Sequence, residues 1–531
     1  MNNDNYSSSL YSLFSDTIGI ENVQQNTPPT LCGTFLSKSQ TALVLNPTSI
    51  NQIIASLEIA KTNGVHLYPV STGKNLGYGS SSPVKSNNIV LNLSRLKKIT
   101  NYDHDLGIVT LEPGVTQRQL ADYLSSKGGK FWMDCSGASS NCSIVGNTLD
   151  RGFGYSPYSN HAKHIISMEI VLPSGEIINT GHGRFKNAHS AHTYQAGVGP
   201  SVDGLFIQSN LGIITKITIS LMLKPEYFEA YFFKINNDSK LPQLIDDLGH
   251  LRKTGCVQSA VHIGNNFRVL PAFMQYPWEE ANNVTPLPEN LRQKYQKQYD
   301  IGAWNGSGAI YGTKKEVKLL KKQIKSALSH SVDQLRFIND TKLKFANLIN
   351  NALPNKKDRQ LNRLLRILNP IYGIMKGEPA DSVFSACYWR KKTPPPTNMD
   401  PDRDKCGLIW LSPVAPLTGD NAQKMYFMAK SILQKYGYEP AMTLTLIDEI
   451  NIENIISITY DREASEDVNA LNCYYELERT LAESGYYPYR LGIHAMDSTL
   501  NRSDNNYNDL LRKIKQAIDP DNIISPGRYI I

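Results

Sequence analysis

The sequence predicts an α+β fold in more than one domain, on three observations. Short apolar runs of strand character alternate irregularly with stretches of helical spacing, without the regular strand–helix repeat of a doubly wound parallel sheet. The texture of the chain changes after Pro225. A length of 531 residues leaves room for two to four domains at roughly 100–200 residues each.

Residues 1–40 are polar and read as an irregular arm lying over the body. ALVL (42–45) reads as a short buried strand. Asn46-Pro47-Thr48-Ser49 then supplies a turn and a helix N-cap, and INQIIASLEIAKT carries apolar residues at helical spacing until Asn63-Gly64. VHLYPVS, NIVLNL (88–93) and GIVTLEPG (107–114) are further strands, and Thr116 caps a helix through QRQLADYLSSKG. ISMEIVLPSGEIINTG reads as a hairpin turning at Pro173-Ser174-Gly175, and GIITKITISLML (212–223) as one long strand. Beyond Pro225, YFEAYFFKINN opens a second domain as a strand. A helix near 239–254, a strand near 306–311 and a lysine-rich amphipathic helix over 313–328 follow, its lysines marking a solvated face. RKKTPPPTNMDPDRDK (390–405) is a loop. A strand at 407–411, a helix at 421–436, a strand over about 441–460 and a helix in the tail 502–531 complete the pattern.

Composition excludes several classes. A net charge of +7 without any run of five like charges gives no footprint for nucleic acid or a membrane surface. No window approaches 18 apolar residues, and the first residues lack the basic and apolar regions of a signal peptide. Seven scattered cysteines without CxxC spacing suit neither zinc nor a disulfide framework, so a cytoplasmic location is expected. His161 and His164 read as solvated or core histidines rather than a metal pair.

Glycine clusters raise the question of a nucleotide. Gly73-Lys74 lacks the upstream glycine and the following Ser or Thr of a P-loop, and none of GFGYSP (152–157), GHGRFK (181–186) or GVGPSV (197–202) completes GxGxxG. Ser71 to Gly79 nevertheless follows a strand directly, and its small residues let backbone N–H groups close around an anion; a tight surface turn is the alternative.

Six segments together resemble one family. They are PVSTGKNLGYGSSSPV (69–84), SIVGNTLDRGFGYSPYSNH (143–161), MEIVLPSGEIINTGHG (168–183), GVGPSVDGLFIQSNLGIITKI (197–217), YPYRLGIHAMD (487–497) and DPDNIISPGRY (519–529). The chain from about residue 40 is similar to the vanillyl-alcohol oxidase and p-cresol methylhydroxylase flavoproteins, with the methylhydroxylase flavoprotein subunit the nearer. The resemblance implies a two-domain α+β flavoprotein with FAD as cofactor and a discontinuous FAD-binding domain over 41–224 and 487–531. A cap domain over 225–486 would cover the flavin ring, and members of the family form homodimers.

The resemblance also implies roles. A flavin oxidoreductase holds a substrate carbon against flavin N5, and a para-substituted phenol loses hydride most easily as its phenolate. The phenolate anchors of the family correspond to Tyr78, Tyr489 and Arg490, with Tyr155 a further active-site tyrosine. Read alone, each tyrosine is more often a plain core residue and Arg490 more often a surface cation. Ser71, Thr72, Gly73, Lys74, Asn75, Gly77 and Gly79 are expected at the pyrophosphate; Ser143, Gly146, Asn147, Gly152 and Gly154 beside the flavin; Gly212, Ile213 and Ile214 near the nucleotide; and Arg528 at the flavin edge.

The departures bear on chemistry. Aligned with the family, Ala138 and Thr443 fall where relatives carry acids, so either another carboxylate enters, with Glu449 a candidate, or the substrate needs no such base. Leu408 and Asp400 fall where relatives carry the histidine or tyrosine of a covalent flavin link, so non-covalent FAD is expected, with Cys142 in CSIVG the candidate for a link made elsewhere. Three functions follow: oxidation of a para-substituted phenol or related aromatic alcohol; a tailoring oxidase or desaturase of a secondary metabolite, acting on an alcohol or amine; or an electron-passing subunit that docks a cytochrome.

Overall fold

A computed structural model describes residues 3–25, 33–37, 41–352 and 360–530. The first strands and helices are α1 (Asn3–Ile18), β1 (Val23–Gln25), β2 (Thr41–Leu45), α2 (Ile50–Asn63), β3 (His66–Val70) and β4 (Asn88–Asn92). The N-terminal residues are not irregular: Leu10, Phe14 and Ile18 recur every fourth position, so one stripe of α1 is buried against α2 and β2. Residues 33–37 do not lie over the body either, since Thr34 is fully buried and its hydroxyl joins the N–H of Gly77 to the carbonyl of Leu408. Residues 26–32 and 38–40 of the expected arm lie outside the described residues.

The first sheet has the order β1-β2-β4-β3, with β2, β4 and β3 parallel. Ser49 caps α2 by accepting from the Gln52 N–H, and Gly64 ends it in the left-handed conformation. The C-terminal segment returns to this sheet, where Leu67 donates to Ile523 O and accepts from Ser525 N, both at 2.9 Å.

Next come β5 (Ile99–Asp103), β6 (Ile108–Leu111), α3 (Gln117–Ser126), β7 (Phe131–Trp132), α4 (Ile144–Leu149), β8 (Ile165–Val171), β9 (Ile177–Asn179), β10 (Ile213–Ser220) and β11 (Met222–Leu223). Their main sheet runs β5-β6-β10-β8-β9. The long strand expected over 212–223 breaks at Leu221, whose N–H turns to Gly107, and β11 pairs with β7 instead.

The remainder comprises β12 (Tyr227–Ile235), α5 (Leu241–Lys253), β13 (Val261–Asn265), α6 (Asn266–Val269), α7 (Glu289–Tyr299), β14 (Trp304–Gly312), α8 (Lys314–Leu328), β15 (Gln334–Ile338), α9 (Asp340–Ala352), α10 (Gln360–Ile374), β16 (Cys406–Leu411), β17 (Val414–Pro416), α11 (Gly419–Lys435), β18 (Ala441–Leu446), β19 (Asn451–Asp461), α12 (Asp467–Glu483) and α13 (Asn505–Ile518). An antiparallel sheet of order β15-β12-β14-β13-β18-β19-β16 dominates it. The single strand expected over 441–460 is two, because Asp448 accepts from the N–H groups of Ile450 and Asn451 and closes a turn.

Strand alternation makes this large sheet two-sided. Val261, Ile263, Ile409, Leu411, Met442, Leu444, Ile456 and Ile458 join α5, α8, α11 and α12 in one apolar core. The intervening His262, Leu408, Trp410, Thr443, Thr445 and Glu453 therefore occupy the opposite face, where His262 meets Gly154 and Trp410 meets Gly77. No helix among the described residues is long and apolar enough to cross a membrane.

Candidate active site

A cavity of ≈ 220 Å³ opens between the first two sheets and the polar face of the large one. Its floor is the loop after β3. Gly73, Gly77 and Gly79 hold φ of +68°, +75° and +122°, which other residues rarely adopt. Asn75 O accepts from the N–H groups of Tyr78 and Ser80 and closes the loop. Among the described residues, the N–H groups of Thr72, Gly73, Lys74 and Asn75 donate to no protein group. Such a run of free donors suits an anion.

Ser71, Thr72, Gly73, Lys74, Asn75, Ser143, Gly146, Asn147, Gly212, Ile213, Ile214, Arg490 and Arg528 all line this cavity. Gly77, Gly79, Gly152 and Gly154 do not, contrary to expectation. They lie behind the wall because neighbours approach too closely for a side chain: an added Cβ would stand 2.9 Å from Trp410, 2.7 Å from Ile493, 2.2 Å from Asn147 and 1.6 Å from Asp134, respectively. Of the glycines on the wall, Gly146 faces Ser71, whose Oγ lies 2.3 Å from where a Cβ would be.

The chain brings Tyr78, Tyr489 and Arg490 together. Residues 487–489 pair with 412–414, through Val414 N to Tyr487 O and Tyr489 N to Ser412 O, while Ile493 N donates to Tyr78 O. The Tyr78 hydroxyl shares a 2.5 Å hydrogen bond with Ser412 Oγ and lies within hydrogen-bonding reach of the Tyr489 hydroxyl. Burial pushes both tyrosines up, against the pull of Arg490, so both stay protonated donors. The Arg490 guanidinium sits 4.4 Å from the Tyr78 ring centroid, and its buried Nε has no partner.

Asp150 escaped the sequence reading, although it lies in one of the six quoted segments. Its two oxygens accept from Arg528 at 2.8 Å and Arg490 at 3.1 Å. Burial pushes its pKa up, but the two guanidinium groups outweigh it and hold the carboxyl below its usual range. Arg528 also donates to the Tyr68 hydroxyl at 2.7 Å, and Arg490 to Asn75 Oδ1 at 2.5 Å.

Tyr155 stands apart from the anchor cluster. Its ring lies 4.0 Å from His262, which stacks on Phe153 at 6.1 Å, and Phe153 in turn lies 6.0 Å from Tyr489. His262 is pushed down to about 4 by burial, so it is neutral, and its Nε2–H donates to Gly154 O at 3.2 Å. Asp134 braces the same loop, accepting from the N–H groups of Tyr155 and Ser156 and from His161 Nε2 at 2.6 Å. His161 is thus a loop brace and His164 stacks on Tyr158 at 4.1 Å.

The expected acid/base is displaced. Glu449 is 57% exposed on the outer turn between β18 and β19 and lies 3.9 Å from Arg252, so it does not enter the site. Ala138 lines the cavity, and Thr443 occupies the polar face of β18. Among the described residues, Asp150 is the only carboxylate in the cavity wall. Cys142 is also in the wall, and burial pushes its thiol up to about 11, away from the reactive thiolate. Leu408 is buried in an apolar cluster with Phe384 and Tyr388, and Asp400 forms an ion pair with Lys74 at 3.0 Å.

These residues fit FAD. The free N–H groups after β3 suit a pyrophosphate, and Arg490 and Arg528 bring positive charge to the cavity wall. The profile of the FAD binding domain family matches residues 41–181. The chain is 37% identical over 500 residues to the 1'-carboxy-chondrochloren decarboxylase of Chondromyces crocatus, covering 93% of this chain and 92% of that one. It is 28% identical over 486 residues to the 4-cresol dehydrogenase [hydroxylating] flavoprotein subunit of Pseudomonas putida, covering 91% and 86%. The solved 4-ethylphenol oxidase of Gulosibacter chungangensis, in its isoeugenol complex, superposes with a TM-score of 0.88 at 25% identity, covering 100% of this chain and 98% of that one. With a cavity suited to FAD and relatives aligned along nearly its whole length, the chain belongs to the vanillyl-alcohol oxidase and p-cresol methylhydroxylase family of FAD-dependent oxidoreductases.

Proposed function

We propose that this enzyme removes a hydride from the benzylic carbon of a para-hydroxyphenyl substrate. The observation that carries the reading is the buried cluster of Tyr78, Tyr489 and Arg490, two protonated hydroxyls beside a permanent cation. FAD, when bound, supplies the hydride acceptor at N5. The chain's own task is to hold the substrate oxygen as phenolate, so that its electron pair pushes through the ring as hydride leaves. The hydroxyls donate to that oxygen and Arg490 neutralises it. The cofactor residues on the cavity wall, with 41–224 and 487–531 as FAD domain and 225–486 as cap, belong to the same proposal, as does an oxygen or carrier-protein acceptor for the electrons.

The oxidised product is a quinone methide, and its fate depends on what the site offers. Addition of water needs a base, and both oxygens of Asp150 are already taken by arginines. A second outcome is therefore favoured: loss of CO₂ from the carbon next to the benzylic one. The C–C bond to the carboxylate breaks, its electron pair forms the new C=C bond, and the ring returns to phenolate. The C. crocatus relative, named a decarboxylase, supports this outcome.

Anaerobic mixing with 4-ethylphenol and with 3-(4-hydroxyphenyl)propionate tests both steps. Bleaching of the flavin by either is expected, with 4-vinylphenol and CO₂ from the second. A flavin that dithionite bleaches but neither phenol does would favour the electron-passing role instead.

A pH dependence follows from Glu453. Its carboxyl lies near Tyr78 and Tyr489, its Oε2 is buried without a partner, and burial pushes it up to about 8. Above that pH a carboxylate appears beside the anchor and repels phenolate. KM for 4-ethylphenol is expected to rise as pH passes about 8, and Glu453→Gln to abolish that rise. A rise that persists in the variant assigns the titration to another group.

A further inference from the structure

Among the described residues four cations line the cavity, and three of them have a carboxylate partner in the protein. Lys74 pairs with Asp400, while Arg490 and Arg528 share Asp150. The fourth, Arg268, is different. It follows β13 on α6, where its backbone N–H is taken by the Asn265 side chain at 3.1 Å. Among the described residues its guanidinium makes no hydrogen bond and no ion pair. It is half-buried and lines the cavity together with Gly137, Ala138, Cys387 and Trp410, none of which carries a negative charge.

Partial burial without a counter-ion costs free energy that a ligand anion would recover. A planar fork of donors matches a carboxylate in two parallel hydrogen bonds, a geometry that a lysine lacks. The wall position also matters. Arg268 lines the same cavity as Ala138 and lies close enough to Tyr155 and His262 for its charge to act on both. The bare cation thus acts on Tyr155 and His262, while Arg490 acts on the two anchor tyrosines.

We infer that Arg268 binds a carboxylate on the substrate, which makes the enzyme selective for para-hydroxyphenyl compounds with an acid on the alkyl side chain. This rests on the phenolic reading above and names its substrate class. During oxidation the pair holds the carboxylate in place while hydride leaves the benzylic carbon. If CO₂ then departs, the negative charge moves from the carboxylate held by Arg268 to the phenolate oxygen held by Arg490. FAD is the two-electron oxidant, and no other co-reactant enters this half of the cycle.

The test compares 3-(4-hydroxyphenyl)propionate with its methyl ester, which is similar in size and has no charge. Stopped-flow reduction of the holoenzyme gives Kd and limiting rate for each. In the wild type, the acid is expected to bind roughly 30-fold or more tighter than the ester. In Arg268→Gln that preference should collapse toward unity, and Arg268→Lys should restore part of it. A wild type without preference, or a preference that survives in Arg268→Gln, overturns the assignment. An equal loss of acid and ester binding in the variant also overturns it, and gives the guanidinium to the flavin or the fold. If neither compound binds while FAD is present, the phenolic reading itself fails.

Discussion

Arg490→Met is expected to lower the rate of flavin reduction by 4-ethylphenol by about 10²–10³-fold, the usual loss when one charge-stabilising donor is removed. The argument is electrostatic. Tyr78 and Tyr489 are pushed up by burial and supply neutral hydrogen bonds, whereas Arg490 supplies the full positive charge, with a free Nε in a buried site. Met keeps much of the length and removes the charge. Rates are compared per bound flavin, because Arg490 also contacts Asn75 in the loop that closes the cavity. KM should rise together with the fall in rate, since phenolate is bound in both the ground and transition states. A rate within about threefold of wild type would sink the anchor assignment.

Asp150→Asn is expected to be costlier to the protein than to any single step. The carboxylate is clasped by Arg528 and Arg490, and the neutral amide leaves two buried guanidinium groups without their counter-ion. Removing one partner of a buried charge pair costs about 3–5 kcal/mol. The variant should therefore melt lower and purify with less flavin, read as the ratio of visible to ultraviolet absorbance. The pH sign follows from the depressed pKa of Asp150: its stabilisation is fully present above its unfolded value near pH 4 and is lost as pH falls through the lower folded value. The variant should lose that acid-side loss of stability. Unchanged melting with full flavin occupancy would show that Asp150 holds nothing together.

Local chemistry made much of the fold legible. Thr116 caps α3 with a reciprocal bond from Gln119, and Thr313 does the same for α8 with Glu316; both are short-range signals that tertiary packing did not override. The glycines after β3 were legible as a loop, but sequence does not say which glycines face a cavity and which make room for a neighbour. Gly77 needs Trp410 to be understood, and Gly154 needs Asp134. The helix α1 was missed because its polar residues hide three apolar ones at fourth positions.

The candidate site was half legible for a related reason. Tyr489 and Arg490 stand in a recognisable segment, but the partner of Arg490 is Asp150, 340 residues away in the chain. An acid beside a small-residue loop looks like any surface acid until two arginines converge on it. Arg268 lacked even that signal, since what distinguishes it is a missing partner, and a missing partner is visible only in three dimensions.

The way residues 523–525 lie along β3 has a consequence for biosynthesis. Ile524, Ser525 and Arg528 are part of the cavity wall, and the bonds from Leu67 to Ile523 and Ser525 hold that segment against the edge of β3. The pocket cannot close until residues 523–528 have left the ribosome. Capture of the coenzyme therefore waits for that segment, long after the loop that follows β3 has been made.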